Sequence, residues 1–353
     1  MDAHGKVTAA PTGEKSAMDP ASRVLTYALV ALLLALAGHG ASAEPVKITI
    51  GWSVTPSDLA PLMLAPGVAK YDGVTYTAEP VHFRGTTVQI TALQSGDLDI
   101  ASLGSNSFPI AVENAKLADL RIIADEVRDM PGWAGVEYRV LENSPIKAIE
   151  DLKGKVIAVN VYGGVSDISV KAMLRNHNMF AGKDYTEIEV QISDMSAVLS
   201  EHKADLVNSV HPFDLDPKFR AQSRVLFTTP DAVGPFALGM LAARTGFIAE
   251  HRAALIDFLQ DYVCAIRWYQ DPANRAKALD IVSGFTKQPR NIFESWLFVP
   301  GKDYYRDQDG MPDLDMVTAN IHVEQELGLV KKDLDANDYA DLGPLKEALA
   351  GLK

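Results

Sequence analysis

Three places in the chain hold side chains whose types and spacing could do chemistry. Ser105-Asn106-Ser107 offers two hydroxyls and a carboxamide in one short turn, suited to hydrogen-bonding a ligand. Tyr162-Gly163-Gly164, with Ser166 just beyond, offers the same kind of polar, glycine-bearing turn. His211-Pro212-Phe213-Asp214 sets an imidazole and a carboxylate three residues apart, the types that general acid–base catalysis uses. None of these completes a catalytic set. G-x-S-x-G, H-E-x-x-H and P-loop patterns do not occur. Ser200-Glu201-His202-Lys203 fits S-x-x-K, yet no K-T-G accompanies it and it falls at a helix end. Asp307, Asp309, Gly310, Asp313 and Asp315 suggest a calcium loop. With Gly310 as the sixth position, however, Tyr305 stands first and Met316 twelfth, where a carboxylate is required. The expectation is capture rather than catalysis, with no metal and no cofactor.

The elements that must position these residues follow one rhythm. Arg84 to Asn114 reads as Gly85 with two threonines, then a helix through Val88, Ile90 and Leu93 that Ser95-Gly96 closes. A buried strand at Leu98 to Ala101 follows, and after Gly104 to Ser107 a second helix, Phe108 to Ala115. A strand ending in a small polar turn and a helix N-terminus leaves backbone N–H groups unpaired and aims a positive dipole end past the strand. In open α/β sheets ligands bind at that edge. Met195 to Asp214 repeats the pattern: a short helix, the turn Ala204-Asp205, the strand Leu206-Val207, then a polar and aromatic landing. Two such half-sites facing each other make a cleft between two lobes.

In chain order, Val46 to Gly51 alternates as a strand and ends at Trp52-Ser53; Thr55 to Asp58 caps the helix that follows. Val81 to Phe83 and Leu120 to Ala124 read as further strands. Trp133 to Leu141 could carry the chain to a second lobe, and Asn143-Ser144-Pro145 precedes an amphipathic stretch, Ile146 to Leu152. Gly154 to Val159, Ile188 to Ile192 and Val225 to Phe227 supply strands there, with a helix over Asp167 to Asn176, and Phe236 to Leu241 could return. Two crossing segments imply a hinge. The expected organisation is a first lobe of residues 44–138 and 239–353 and a second of 139–238. Helices are expected over Ala253 to Tyr269, Asn274 to Val282, Arg290 to Phe298, Asp313 to Leu327 and Leu345 to Leu352.

Length and charge narrow the setting. The 353 residues suffice for two ordinary domains. Arg23, the fourteen apolar residues Val24 to Ala37 and the ending Ala41-Ser42-Ala43 describe a secretory signal peptide over residues 1–43, with Met1 or Met18 as the start. Spanning a bilayer takes roughly 20 apolar residues, more than this run supplies. The net charge of −13 argues against nucleic acid or an anionic membrane as a partner. Cys264 is the only cysteine, so no internal disulfide forms and no lipid-anchored cysteine follows the apolar core. A free periplasmic monomer is the simplest expectation.

The sequence resembles the substrate-binding proteins of ABC importers of the nitrate/sulfonate/taurine type, related to the thiamine-precursor binders. ALQSGDLDIASLGSNS at 92–107, IKAIEDLKGKVIAVNVYGGVSD at 146–167 and the long helix at 246–279, closing on Trp-x-x-Asp-Pro, carry the likeness. The resemblance implies an α/β fold of two hinged lobes with type II binding-protein topology and the ligand enclosed between them. It also implies a membrane permease and an ATPase as partners. The single cysteine departs from the eukaryotic thiamine-precursor synthases of this fold, which use a cysteine-rich segment.

Candidate ligand contacts follow from both readings. Ser105, Asn106, Ser107, Tyr162, Gly163, Gly164 and Ser166 would bond a ligand at the two turns; Trp52 and Ser53 end the first strand. His211 or Phe213 could stack on a flat ligand, Trp133 and Phe236 could wall the cleft, and Arg84 could neutralise an anion. Asp214 could take an amine or cap the next helix. Helix N-termini without an acidic cluster favour a small organic anion: sulfonate- or taurine-like, nitrate-like, or an aromatic carboxylate. Alternatives are a pyrimidine-type precursor, a receptor feeding a membrane sensor, and an exported enzyme using His211 and Asp214.

Overall fold

The computed structural model describes residues 44–54, 58–63, 67–83 and 85–352. The signal-peptide reading, the cap at Thr55 to Ser57 and Arg84 lie outside them. The chain runs β1 (Val46–Trp52), α1 (Ala60–Met63), β2 (Tyr76–His82), α2 (Thr86–Ser95), β3 (Ile100–Leu103), α3 (Ser107–Glu113) and β4 (Leu120–Asp129). It crosses to β5 (Glu137–Leu141), β6 (Val156–Val159), α4 (Val165–Asn176), β7 (Thr186–Glu189), α5 (Met195–Ser200), β8 (Leu206–Ser209), α6 (Pro217–Gln222), β9 (Ser223–Thr228) and α7 (Thr229–Val233). It returns through β10 (Phe236–Arg244), α8 (Thr245–Glu250), α9 (Arg252–Gln270), α10 (Arg275–Thr286), α11 (Leu314–Leu327) and α12 (Gly343–Gly351). Among the described residues no helix is long and apolar enough to cross a membrane.

The strands divide into two five-stranded sheets, β2-β1-β3-β10-β4 and β7-β6-β8-β5-β9. Each lobe lays down its first three strands in the order second, first, third, then inserts one antiparallel strand that belongs to a crossing segment. The same aspartate device holds each. Asp99, entering β3, accepts the Thr49 amide at 2.8 Å and the Thr49 hydroxyl at 2.7 Å, fastening β3 to β1. Asp205, entering β8, accepts the Val156 amide at 3.0 Å and fastens β8 to β6. A carboxylate that takes a backbone N–H at the edge of a short parallel ladder fixes its register.

Lobe 1 buries two apolar faces, one against α9, whose Leu255, Phe258, Leu259 and Tyr262 recur at helical spacing, and one against α3 and α11. Lobe 2 has smaller cores around Tyr138, whose ring stacks on Phe227 at 4.2 Å, and around Phe219.

Several expectations need correction. Arg290 to Phe298 is not a helix: a single 3-10 turn spans Arg290–Ile292, and Phe298 has φ 56°, which ends any helical run. Ile146 to Leu152 shortens to a 3-10 turn over Ile149–Leu152. α2 takes Gly85 as its N-cap, with no side-chain cap hydrogen bond, so Thr86 opens the helix instead of capping it. Its closure at Gly96, φ 82°, is the left-handed cap the sequence suggested.

Candidate functional site

In lobe 1, β1 to β4 run parallel and β10 runs against them; in lobe 2, β6 to β9 run parallel and β5 runs against them. The segment after β4 therefore leaves lobe 1 at its carboxyl edge and enters lobe 2, by β5, at that lobe's carboxyl edge. The segment before β10 does the converse. The two carboxyl edges face each other across the crossings. They touch where the Asn106 side chain donates to the Gly163 carbonyl at 3.2 Å. Asn106 and Gly163 thus meet although 57 residues separate them.

The two turns at this contact differ. In lobe 1 the Ser105 amide donates to the Ala237 carbonyl at 2.9 Å, and the Ser107 and Phe108 amides donate to the Gly104 carbonyl at 3.1 and 3.0 Å. The Ser105 hydroxyl, fully buried, reaches Asn320 Oδ1 at 3.0 Å and the Ala237 carbonyl at 3.2 Å; the Ser107 hydroxyl donates to the Gly104 carbonyl. These serines bind their own lobe, and of the predicted trio only Asn106 reaches across. In lobe 2, Gly163 adopts φ 74° and its amide donates to the Asp167 carboxylate at 2.8 Å. Gly164 caps α4 without a side-chain hydrogen bond, so the Val165, Ser166 and Asp167 amides have no acceptor among the described residues. That helix end keeps its unpaired donors and positive dipole. The Ser166 hydroxyl is buried on the Asn160 side chain. Tyr162 stands half-exposed on the rim, its hydroxyl on the Glu187 carbonyl at 3.2 Å.

His211 follows β8 as expected, but its ring is spoken for. Nδ1 pairs with Asp214 at 2.8 Å, and the ring meets Trp296 edge-on at 4.8 Å and Tyr304 at 6.1 Å. Asp214 is 1% exposed and also carries Arg220 at 3.4 Å. It does not cap the next helix; Asp216 does, accepting the Phe219 amide at 2.8 Å. Its engaged, buried carboxylate also has no free face for a ligand amine. Phe213 is exposed, 46%, rather than stacked over the site, and Phe236 is buried at the start of β10. Trp133 stands edge-on to Tyr305 at 5.3 Å and lines a cavity of about 470 Å³ with Phe298, Tyr304 and Asp307, none of it from the two turns.

Trp52 sits in an aromatic corner that includes two residues the sequence analysis passed over. Its ring lies 4.4 Å from His82, which ends β2, and 5.9 Å from Phe285 of α10. Ser53 is held by Asp58, which accepts its amide at 2.5 Å and the Val54 amide at 3.1 Å. Behind this corner runs a buried polar chain that sequence reasoning also missed. Gln89 Oε1 accepts the Ser102 amide at 2.9 Å, the Ser102 hydroxyl donates to Glu126, and Glu126 accepts the Leu59 amide at 3.2 Å at the start of α1. Gly51 and Gly239 make room: a Cβ would lie 2.2 Å from Gln89 Oε1 or 2.9 Å from Glu126 Oε2. Burial raises the Glu126 carboxyl well above the ordinary carboxylate range, with Asp58 adding to the rise, and burial likewise raises Asp58. The strand expected over Leu120 to Ala124 continues to Asp129, and Asp125, Glu126, Arg128 and Asp129 are buried too. No periodicity signals a strand that buries its charges.

A family model described as the NMT1-like family matches residues 41–283. No curated protein sequence is significantly similar. Among solved structures, the periplasmic aliphatic sulphonate binding protein SsuA from Escherichia coli is 20% identical with a TM-score of 0.61, covering 84% of this chain and 92% of its own. The periplasmic nitrate-binding protein NrtA from Synechocystis PCC 6803 is 17% identical with a TM-score of 0.64, covering 88% and 90%. The desulfurization enzyme DSZB is 12% identical with a TM-score of 0.65, covering 87% and 100%. At these identities the likeness is one of fold, and it supports the two-lobed α/β binding-protein architecture.

Proposed function

The chain belongs to the NMT1-like family, and from that premise we propose that it is the solute-binding component of an ABC importer. It captures a small organic anion between its lobes and presents the closed form to a membrane permease and its ATPase. The observation that carries this reading is the meeting of the two carboxyl edges beside the uncapped N-terminus of α4. Three unpaired amides and a helix dipole suit an oxyanion such as a sulfonate, a nitrate-like ion or a carboxylate. The aromatic corner of Trp52, His82 and Phe285 suits an organic remainder. The ligands for which the structural relatives are named, sulphonate and nitrate, fall in the same class. Residues 1–43 would direct the chain to the periplasm.

A thermal-shift panel of alkanesulfonates, nitrate, aromatic carboxylates and pyrimidines tests this. A ligand present at 100 times its Kd stabilises by about 2.7 kcal/mol, which a melting curve resolves readily. At least one anion should raise the Tm without being consumed, and Asn106→Ala should lower that shift. A panel without a hit, or with only pyrimidine hits, contradicts the anion reading.

The fixed His211–Asp214 pair and the fold shared with DSZB favour a second reading, an enzyme working in the same cleft. Turnover of a compound that binds, abolished by His211→Ala, would establish it in place of transport.

A further inference from the structure

Each lobe is a version of the other, yet one arrangement that lobe 1 completes with its own carboxyl has no counterpart in lobe 2. Asp99 and Asp205 each lead into a third strand, so Ser102 and Asn208, three residues further on, stand at matching positions. The first strands match likewise, since Ile50 pairs with Ile100 and Ile157 with Leu206. The helices that follow them, α1 and α4, correspond. In lobe 1, Glu126 bridges the third strand and the helix start. It accepts the Ser102 hydroxyl and, at 3.2 Å, the Leu59 amide just before α1.

In lobe 2 the place of Glu126 falls to Thr229. Leu241 pairs with Ser102 and Ala124, as Tyr138 pairs with Asn208 and Phe227, and Glu126 and Thr229 come two residues after Ala124 and Phe227. The Thr229 hydroxyl bonds those of Ser169 at 3.1 Å and Tyr138 at 3.3 Å and does not reach Asn208. Asn208 is 1% exposed, and its carboxamide oxygen finds no hydrogen-bond partner among the described residues.

The register fixes where this side chain points. Directly opposed side chains share a face of the sheet, and Tyr138, opposite Asn208, sends its hydroxyl to the Ser166 carbonyl at 3.3 Å. Leu206, two residues earlier and so on the same face, belongs to the core that Val170 and Leu174 of α4 complete. The Asn208 carboxamide therefore lies on the face covered by the first turn of α4, where the Val165, Ser166 and Asp167 amides have no acceptor among the described residues. The Asp167 carboxylate in that turn is already matched by Lys171 at 2.7 Å and holds the Gly163 amide.

We propose that the solute's oxyanion head, a carboxylate or sulfonate, sits in lobe 2 between Asn208 and the amides that open α4, as the Glu126 carboxyl sits in lobe 1 between Ser102 and the start of α1. This rests on the anion capture proposed above and names a contact for it. A carboxamide carries donor and acceptor on one rotatable group, so Asn208 can turn its N–H to the head. α1 has four residues, and burial keeps the carboxyl beside it toward its neutral form; α4 has twelve, whose aligned dipoles favour a full negative charge.

Calorimetric titration of residues 44–353 with methanesulfonate, benzenesulfonate, acetate and benzoate tests the contact. Asn208→Leu keeps nearly the same volume and removes the polar group. The free variant should melt no lower than the unaltered protein, while the tightest of these anions binds about tenfold more weakly or worse. A merely structural asparagine would lower the melting temperature and spare the affinity. Ser209→Ala removes another buried hydroxyl without a partner among the described residues, on the opposite face of β8, and should keep the affinity. If the leucine variant does not fold, Asn208→Asp sets a charge against the head and should weaken binding about a hundredfold. Full affinity in either Asn208 variant, or an equal loss in Ser209→Ala, overturns the contact and leaves capture standing. If the unaltered protein binds none of the four anions, capture of such heads fails and the contact falls with it.

Discussion

Asp99 and Asp205 do one task in two places, each fastening the third strand of a lobe to the first through a backbone amide. Losing either carboxylate leaves a partly buried N–H without an acceptor, at a cost of about 1–3 kcal/mol. Asp205→Ala should lower the Tm of residues 44–353 by several degrees and Asn208→Ala by less; equal effects would deny the fastening role. Asp129 makes the opposite kind of demand. It is 1% exposed, accepts the Val136 amide at 2.8 Å, and burial pushes its carboxyl up to about 7. Because the folded state holds this proton more tightly than the unfolded chain, the contribution is complete below about pH 4 and is lost as pH climbs to 7. Asp129→Asn keeps an oxygen acceptor and sheds the charge, so it should stabilise the protein at pH 8 by about 2–4 kcal/mol and by much less at pH 5. Denaturant titrations at the two pH values check this, and an equal effect at both would refute it. Asp205 stood out in the sequence as the acidic turn before its strand, whereas Asp99 read as part of the strand Leu98 to Ala101. Asp129 and Glu126 did not stand out, because burying them depends on partners from β3, α1 and the crossing to β5, distant in the chain.

At the scale of elements, the turn before α4 is where sequence and geometry meet most closely. Asn160 to Ser166 suggested a flexible glycine turn opening a helix, and Gly163 does take φ 74°, a conformation that costs an L-residue roughly 1–2 kcal/mol. Gly163→Ala should therefore destabilise by about that much and shift the three amides of α4 that the proposed ligand uses. The affinity of the best thermal-shift hit should fall at least tenfold, whereas Gly182→Ala, also at positive φ but between α4 and β7, should leave it intact. Equal losses would remove α4 from the site. The matching lobe-1 turn misled the reading at Ser105 and Ser107. A hydroxyl at a strand's end looks the same in sequence whether it faces a ligand or a carbonyl: Ser105 donates to Ala237, which arrives from 132 residues away, and Ser107 donates to Gly104 within its own turn. Arg290 to Phe298 misled it differently: apolar residues at helical spacing are buried there, but as turns packed around Trp296 and Phe298.

At the scale of the molecule, the repeated order of strands in both sheets makes each lobe a version of the other, joined by two crossings. Both were legible as strands that could change lobes, because each follows a complete run of alternating elements. What the sequence could not supply is how near the edges stand, since that depends on the packing of α4 against α11, which no local pattern records. The central claim is that these edges close on a solute. Small-angle X-ray scattering of residues 44–353, with and without the strongest anion from the thermal-shift panel, tests it most directly. The account predicts a smaller radius of gyration with the anion bound, a contraction that Asn106→Ala weakens. An unchanged radius at saturating anion, with binding confirmed in the same sample, would contradict it.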